Sequence, residues 1–163
     1  IDASARVIDT VTKATTFGAM KATLPEKDTA TPDSLKAKWP KNELYLVNNT
    51  LVDNRPQGGV FLRVKPGDTV VKAVNNLLVG KGTLESAGPG DYRNNFNVDW
   101  DQFALAARED YRLDPKSKML GKAIDAGQAN GQSLLPEREY AHPSKTSLLK
   151  GSARHPGAQQ SFK

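Results

Sequence analysis

Three basic side chains lie on or beside short apolar stretches, where they could contact an anionic ligand. They are Arg63, Lys65 and Lys72. Such groups could bind the carboxylates of an acidic glycan, although Lys and Arg are also ordinary on a solvated face. The net charge of +5 and the isoelectric point near 9.4 favour acidic partners in the same way, or serve solubility alone. The three residues are therefore candidate glycan contacts.

Residue types that could hold a metal or perform catalysis do not form a complete set. The two histidines, His142 and His155, lack metal-ligand spacing with another strong ligand, so we expect them to be solvent-exposed or hydrogen-bonded. The acidic residues between 91 and 110 lack the ordered Asp and Gly spacing of a calcium loop. We expect no metal site in this chain, and its catalytic residues stay unknown.

Several partner classes are disfavoured by composition. The aromatic residues are not interleaved with Lys and Arg as in nucleic-acid readers, so no nucleic-acid partner is expected. The apolar runs are too short for a membrane-spanning helix. The chain has no cysteine, which excludes disulfides and thiol chemistry but leaves the compartment open. It starts at Ile1 rather than Met, and no signal segment follows, so we expect a processed protein or a piece of a longer one.

A repeat predicts the elements that position these side chains. Segments 47–52 (VNNTLV) and 74–79 (VNNLLV) are offset by 27 residues, and Asn94-Asn95 indicates a further copy at shorter spacing. Segment 6–11 looks like a degenerate copy. Short apolar strands with Asn at a fixed place are typical of an all-β solenoid whose coils stack on one another.

Aligning the repeats predicts which side chains face inward. Leu44 aligns with Val71 and Leu46 with Ala73, so alternation places these four inside and Lys72 outside. Asn48 and Asn75 then lie one above the other, about 4.8 Å apart, and form a hydrogen-bonded ladder. Alternatively, the Asn pairs supply left-handed turn conformations, which is compatible with a ladder.

The remainder of the chain, taken as a single domain over residues 1–163, is irregular. Three prolines within 24–42 predict a loop excursion. Helical spacing predicts a short helix over 100–108, capped by Asp99, which lays Trp100 and Phe103 on the coils. Residues 113–163 are predicted to be a loop-rich tail.

These residues resemble a known family. The pattern of 44–52, then Gly58-Gly59-Val60-Phe61, then 74–79 is similar to right-handed parallel β-helix proteins, including bacterial pectate-lyase-like and chondroitinase-B-like polysaccharide lyases. Segments 110–113 (DYRL) and 123–127 (AIDAG) resemble the close of such chains. The resemblance implies a right-handed parallel β-helix of which this chain is the C-terminal part, with upstream coils or another chain covering its N-terminal end.

The same resemblance implies a function. It predicts the coils of a secreted or periplasmic bacterial protein that acts on acidic polysaccharide by β-elimination. Its catalytic groups would lie mostly upstream of Ile1, and Ca²⁺ is a possible cofactor of the full-length protein. The alternative is a non-catalytic module for glycan binding, adhesion or structural assembly. Asp125, within the AIDAG segment, is expected to accept backbone N–H groups in a turn.

Overall fold

The computed structural model describes residues 5–8, 42–64, 69–84, 89–141 and 145–161. The predicted excursion over 24–42 lies outside these residues, except for Asn42, which begins a strand. Within the described ranges every regular element is a β-strand or a three-residue 3₁₀ helix. The all-β prediction is confirmed at this level.

Fifteen strands make up the described fold. They are β1 (Ala5–Ile8), β2 (Asn42–Val47), β3 (Thr50–Asp53), β4 (Val60–Leu62), β5 (Thr69–Val74), β6 (Leu77–Gly80), β7 (Thr83–Leu84), β8 (Gly90–Asp91), β9 (Phe96–Val98), β10 (Phe103–Leu105), β11 (Asp110–Leu113), β12 (Gln128–Ala129), β13 (Gln132–Ser133), β14 (Arg138–Ala141) and β15 (Lys145–Leu148).

The chain passes repeatedly through the same set of parallel sheets. The first pass supplies β2, β3 and β4, the second β5, β6 and β7, and the third β8 and β9. Equivalent strands of successive passes pair in parallel, giving the sheets β2-β5-β8, β3-β6-β9 and β4-β7. Leu44 pairs with Val71 and Leu46 with Ala73, which is the register that the repeat predicted.

Burial of the predicted inward side chains depends on their position in the sheet. Val71 and Ala73 are fully buried, whereas Leu44 and Leu46 are only half-buried. The difference arises because β5 lies between β2 and β8, while β2 is the edge strand of this sheet within the described part of the chain.

The composition of segment 6–11 predicts a further copy of the repeat, but the described portion does not pair as the other copies do. Its described portion, β1, pairs antiparallel with β3, with Ile8 opposite Thr50 and Ala5 opposite Asp53. The backbone groups of β3 are thus paired on both sides, by β1 and by β6. β1, rather than β3, is therefore the edge strand of this sheet within the described residues.

Two ladders of Asn side chains run across the passes where β2, β5 and β8 end. In the first ladder, Asn75 Nδ2 donates to Asn48 Oδ1 at 3.2 Å and Asn94 Nδ2 donates to Asn75 Oδ1 at 2.7 Å. The second ladder follows one residue later, and consists of Asn49, Asn76 and Asn95. The predicted bond between Asn48 and Asn75 is therefore present.

The first ladder also provides the left-handed bends. Asn48, Asn75 and Asn94 have φ values of 54°, 60° and 59°. Asn tolerates this conformation better than most residues with a side chain. Both roles considered for these Asn residues, ladder and turn, thus hold together in one structure.

Segments from the C-terminal half pack against the parallel sheets. Val47 and Val74 pack with Ala126, Ala129 and Leu134. A second cluster joins β3, β6 and β9 to β10 and β11, and its members are Val52, Leu77, Val79, Val98, Phe103, Tyr111 and Leu113. The predicted loop-rich tail therefore closes a core, and it includes two hairpins, β12–β13 and β14–β15.

The single helix predicted over 100–108 is wrong. Two 3₁₀ helices, Trp100–Gln102 and Ala106–Arg108, flank strand β10. Phe103 packs edge-on against Tyr111 of the paired strand, with ring centroids 5.6 Å apart, whereas Trp100 is 41% exposed. The pairing with β11 outweighs the local helical spacing, and Asp99 makes no side-chain cap bond.

The ladder is tested by replacing Asn75 with Gly, which keeps the left-handed bend and removes the amide. Four hydrogen bonds of that amide are lost, so N75G should lower the free energy of unfolding by about 2–4 kcal/mol. N130G is the matched control, because Asn130 is also left-handed but exposed, and it should change stability by less than about 0.5 kcal/mol. Urea titration measures the free energy of unfolding of both variants. If N75G is as stable as the wild type, the ladder does not stabilise the fold and Asn75 serves only in the turn.

The covering role of the tail is tested at two neighbouring leucines. Leu134 is 1% exposed and Leu135 is 42% exposed. L134A should destabilise the fold by about 2–5 kcal/mol because a cavity opens against Val47 and Val74, whereas L135A should stay within about 0.5 kcal/mol. Equal effects in thermal or urea unfolding would contradict the packing.

Candidate functional site

A cleft of about 430 Å³ lies between the β10–β11 hairpin and the C-terminal segment. Its lining residues come from three regions of the chain. They are Leu105, Arg108, Asp110, Arg112, Glu139, Tyr140, Ala141, Ser147, Gln159 and Ser161. The volume is within the range of about 300–1,000 Å³ that is usual for small-molecule sites.

Strand alternation on β11 supplies one wall. Tyr111 and Leu113 are buried in the core, while Asp110 and Arg112 are half-buried and line the cleft. The two polar side chains therefore project from the opposite side of the strand to the two core residues. The core packing of Tyr111 against Phe103 fixes the wall that carries the charges.

Asp110 and Arg112 form an ion pair within this wall. Arg112 Nε donates to Asp110 Oδ1 at 2.8 Å, and its Nη2 donates to Oδ2. The hydrogen bond from Arg112 to Asp110, aided by the charges of Asp110 and Glu139, raises the pKa of Arg112 above its usual value despite partial burial. The negative charge of Asp110 is thereby balanced by Arg112.

Glu139 is compensated by backbone donors. Its Oε2 accepts hydrogen bonds from the N–H groups of Gln160 and Ser161, both at 2.7 Å, and the residue is 8% exposed. Two charge-assisted bonds of this kind offset the desolvation of a buried carboxylate. They also hold the C-terminal segment against β14.

Arg108 is different, because no described residue pairs with it. It ends the 3₁₀ helix Ala106–Arg108, is exposed, and has no hydrogen bond or ion pair to the described part of the chain. The next residue, Glu109, has a left-handed φ of 60°, which reverses the chain into β11. Arg108 therefore brings to the cleft a positive charge that no described residue pairs with.

Lys72, one of the predicted glycan contacts, lies away from this cleft on the sheet β2-β5-β8. It sits between Tyr45 and Asp91 in register. Its Nζ donates to the backbone carbonyl of Ala126 at 3.0 Å, so the tail takes up part of its hydrogen-bonding capacity. Burial and the bond from Tyr45 to Glu43 raise the pKa of Tyr45 to about 12.

Arg63, the second predicted glycan contact, is exposed just after β4, which lies in a different sheet from Lys72, and does not line the cleft. Lys65, the third, lies outside the described residues. Of the two described candidates, Arg63 and Lys72, neither belongs to the cleft.

His155 is buried and hydrogen-bonded, which is one of the two environments expected for it; His142 lies outside the described ranges. The Nδ1 atom of His155 accepts a hydrogen bond from the N–H of Gly121 at 2.7 Å. Burial, together with the positive charge of the adjacent Arg154, lowers the pKa of His155 below its usual value. Asp125 Oδ1 accepts the N–H of Gly127 at 2.7 Å, which is the turn role expected of it.

No group of three or more His, Asp or Glu side chains in the described ranges could hold a metal ion. Separately, no helix of the described structure is long and apolar enough to cross a membrane.

Sequence reasoning missed the cleft, although one local signal was present. Asp-x-Arg occurs at 53–55, 91–93 and 110–112, and in each copy the Arg donates from its backbone N and Nε to the same Asp oxygen. These arginines lower the pKa of Asp53 and Asp91, chiefly through side-chain hydrogen bonds. The recurring spacing marks structural ion pairs, one of which lines the cleft.

Comparison of the chain with protein-family models, curated proteins and solved structures finds no match.

The His155 environment predicts a pH dependence of stability. Because the native pKa is lowered, the unfolded chain binds the proton more readily than the native chain. The contribution of His155 is therefore complete above its ordinary pKa of 6.5 and is lost as the pH falls from there through the native pKa. The melting temperature should fall between pH 7.5 and 5, and the fall should be smaller in H155Q than in the wild type. An equal fall in both proteins would contradict the assignment.

Proposed function

We propose that the chain is part of a right-handed parallel β-helix that binds acidic polysaccharide in the cleft. The fold part is supported by the in-register parallel pairing of successive passes and by the two Asn ladders. The right hand is supported by a general rule: crossovers between parallel strands of one sheet are right-handed in about 98% of cases.

The observation that carries the binding proposal is the guanidinium of Arg108. Asp110 is paired with Arg112, and Glu139 accepts two backbone N–H groups, so Arg108 is the charged group of the cleft that lacks a partner among the described residues. An anionic ligand would supply the missing partner for Arg108, and the paired polar groups with Tyr140 suit a sugar ring. A secreted or periplasmic bacterial location belongs to the same proposal.

Binding is favoured over β-elimination by the described residues. A lyase needs a base, a group that neutralises the uronate carboxylate, and an acid for the leaving oxygen. Lys72 is held by the carbonyl of Ala126, and the cleft residues Asp110 and Arg112 are occupied by one another. Lyase activity, if the whole protein has it, would then depend on residues beyond this set, with Ca²⁺ as one possible cofactor.

The binding proposal is tested by calorimetric titration of the protein with oligosaccharides of alginate, pectate and chondroitin. We expect one of the acidic oligosaccharides to bind, and its carboxyl-reduced counterpart to bind at least about tenfold more weakly, since a charge-assisted hydrogen bond contributes about 1.5–3 kcal/mol. R108Q should bind the acidic oligosaccharide about tenfold more weakly than the wild type does. R63Q, which alters an exposed Arg outside the cleft, should bind it as the wild type does.

Three outcomes would contradict the proposal. The first is absence of binding to all three acidic oligosaccharides, and the second is equal binding of the charged and reduced forms. The third is loss of binding in R63Q but not in R108Q. A rise in absorbance from unsaturated uronates during incubation would favour the lyase instead.

A further inference from the structure

The carboxylate of Glu139 uses only one of its two oxygens in hydrogen bonds to the described residues. Its Oε2 accepts the N–H groups of Gln160 and Ser161, whereas its Oε1 accepts none from them. The fully buried side-chain oxygens that lack a partner in the described structure are Asn49 Oδ1 and Gln159 Oε1. Glu139 Oε1 is not one of them, so part of its surface is accessible. An ionised carboxylate oxygen is an acceptor only, so this atom can bind a donor on a ligand.

The pairing of β14 with β15 places the side chain of Glu139 on the cleft. Glu139 lies directly opposite Ser147 in the antiparallel register, and Ala141 follows it by two positions. Side chains that are opposite one another across an antiparallel pair, or two positions apart on one strand, lie on the same face. Ser147 and Ala141 both line the cleft, as Glu139 does. The carboxylate of Glu139 therefore projects from the face that forms the cleft wall.

The carboxylate of Glu139 also lies within electrostatic range of the opposite wall. Its negative charge contributes to the raised pKa of Arg112, which lines the cleft on β11. Both oxygens of Asp110, the other carboxylate of the cleft, already accept hydrogen bonds from Arg112. Glu139 Oε1, in contrast, faces the cleft without a hydrogen bond to a described residue.

Arg108 and Glu139 make different demands on a ligand that fills the cleft. Arg108 offers N–H donors and a positive charge, whereas the carboxylate of Glu139 requires a donor. A fully ionised sulfate or phosphate ion has no donor for Glu139, and the negative charge of Glu139 repels it. An acidic oligosaccharide carries both carboxylates and ring hydroxyls, so it meets both demands.

We infer that Glu139 is a specificity-determining residue of the proposed polysaccharide site, because its Oε1 accepts a hydrogen bond from a ring hydroxyl of the bound oligosaccharide. This inference rests on the proposed function and adds to it a hydroxyl that the ligand must carry. Arg108 selects the charge of the ligand. Glu139 selects a hydroxyl donor and disfavours an anion that lacks one.

The test removes the acceptor from the protein and the donor from the ligand. E139Q keeps one oxygen for the N–H groups of Gln160 and Ser161, but an amide nitrogen, which donates, replaces the other oxygen. E137Q is the matched control, because it removes the same charge at an exposed position next to β14 and outside the cleft. The probes are the acidic oligosaccharide that binds best and its deoxyfluoro analogues, in which one hydroxyl at a time becomes fluorine, which does not donate.

The measured quantity is the ratio of the affinities for the parent oligosaccharide and for each analogue, obtained by calorimetric titration. In the wild type this ratio should be at least about tenfold for one analogue, because a hydrogen bond to a charged group is lost. In E139Q the ratio for that analogue should fall below about threefold, because the acceptor is gone. E137Q should keep the wild-type ratio. The ratio is used because removal of a negative charge changes the affinity for parent and analogue alike.

A second measurement needs no variant and covers the case in which E139Q does not fold, which its melting temperature shows. The side-chain carboxyl ¹³C resonance of Glu139 in the wild type should shift when the parent oligosaccharide binds. It should shift much less when the discriminated analogue binds, because that analogue offers no donor to Oε1. An equal shift with both ligands would overturn the inference.

Two affinity results would also overturn the inference while leaving the proposed function intact. One is a folded E139Q that keeps the wild-type ratio for the discriminated analogue. The other is a wild type that binds every deoxyfluoro analogue as tightly as the parent. Absence of binding by folded wild-type protein to any acidic oligosaccharide would instead overturn the proposed function, and the inference with it.

Discussion

The amide–amide hydrogen bonds of the Asn ladders are the interaction on which the rest of this structure depends. The second ladder also links each pass to the backbone of the pass before it. The Nδ2 groups of Asn76 and Asn95 donate to the backbone carbonyls of Leu46 and Ala73, respectively. A slip of one residue in register would break every one of these bonds and turn the apolar side chains to the wrong face. The ladders therefore specify register where the apolar pattern alone would tolerate alternatives.

The first ladder connects the sheets to their covering segments. The Nδ2 groups of Asn48, Asn75 and Asn94 donate to the carbonyls of His155, Ile124 and Lys122, respectively. The stacked turns thus present a row of donors that the returning chain satisfies. Because the same returning chain carries Gln159 into the cleft wall, the position of the candidate site follows from the ladder rather than from local structure at residue 159.

Sequence reasoning succeeded where the chain repeats and failed where it does not. The pairing of Leu44 with Val71 and the contact of Asn48 with Asn75 follow from one offset, because a repeat converts sequence distance into spatial contact. Phe103 has helical spacing to its neighbours, yet it lies in a strand, because its partner β11 outweighs the local pattern. Segment 6–11 has strand composition, but composition does not encode direction, and β1 runs antiparallel.

The sequence by itself determined the all-β class, the register of two passes and the residues able to form a ladder, since each depends on local periodicity and a fixed offset. Only the tertiary structure decided the cleft, because Arg108, Glu139 and Gln159 come from segments that share no repeat and meet through the folding back of the tail. The same folding back buried His155 and placed Lys72 under Ala126. Glu139 and Lys72 find their hydrogen-bond partners at residues distant in sequence, which no local spacing specifies, whereas the Asp110–Arg112 pair follows from a spacing of two residues.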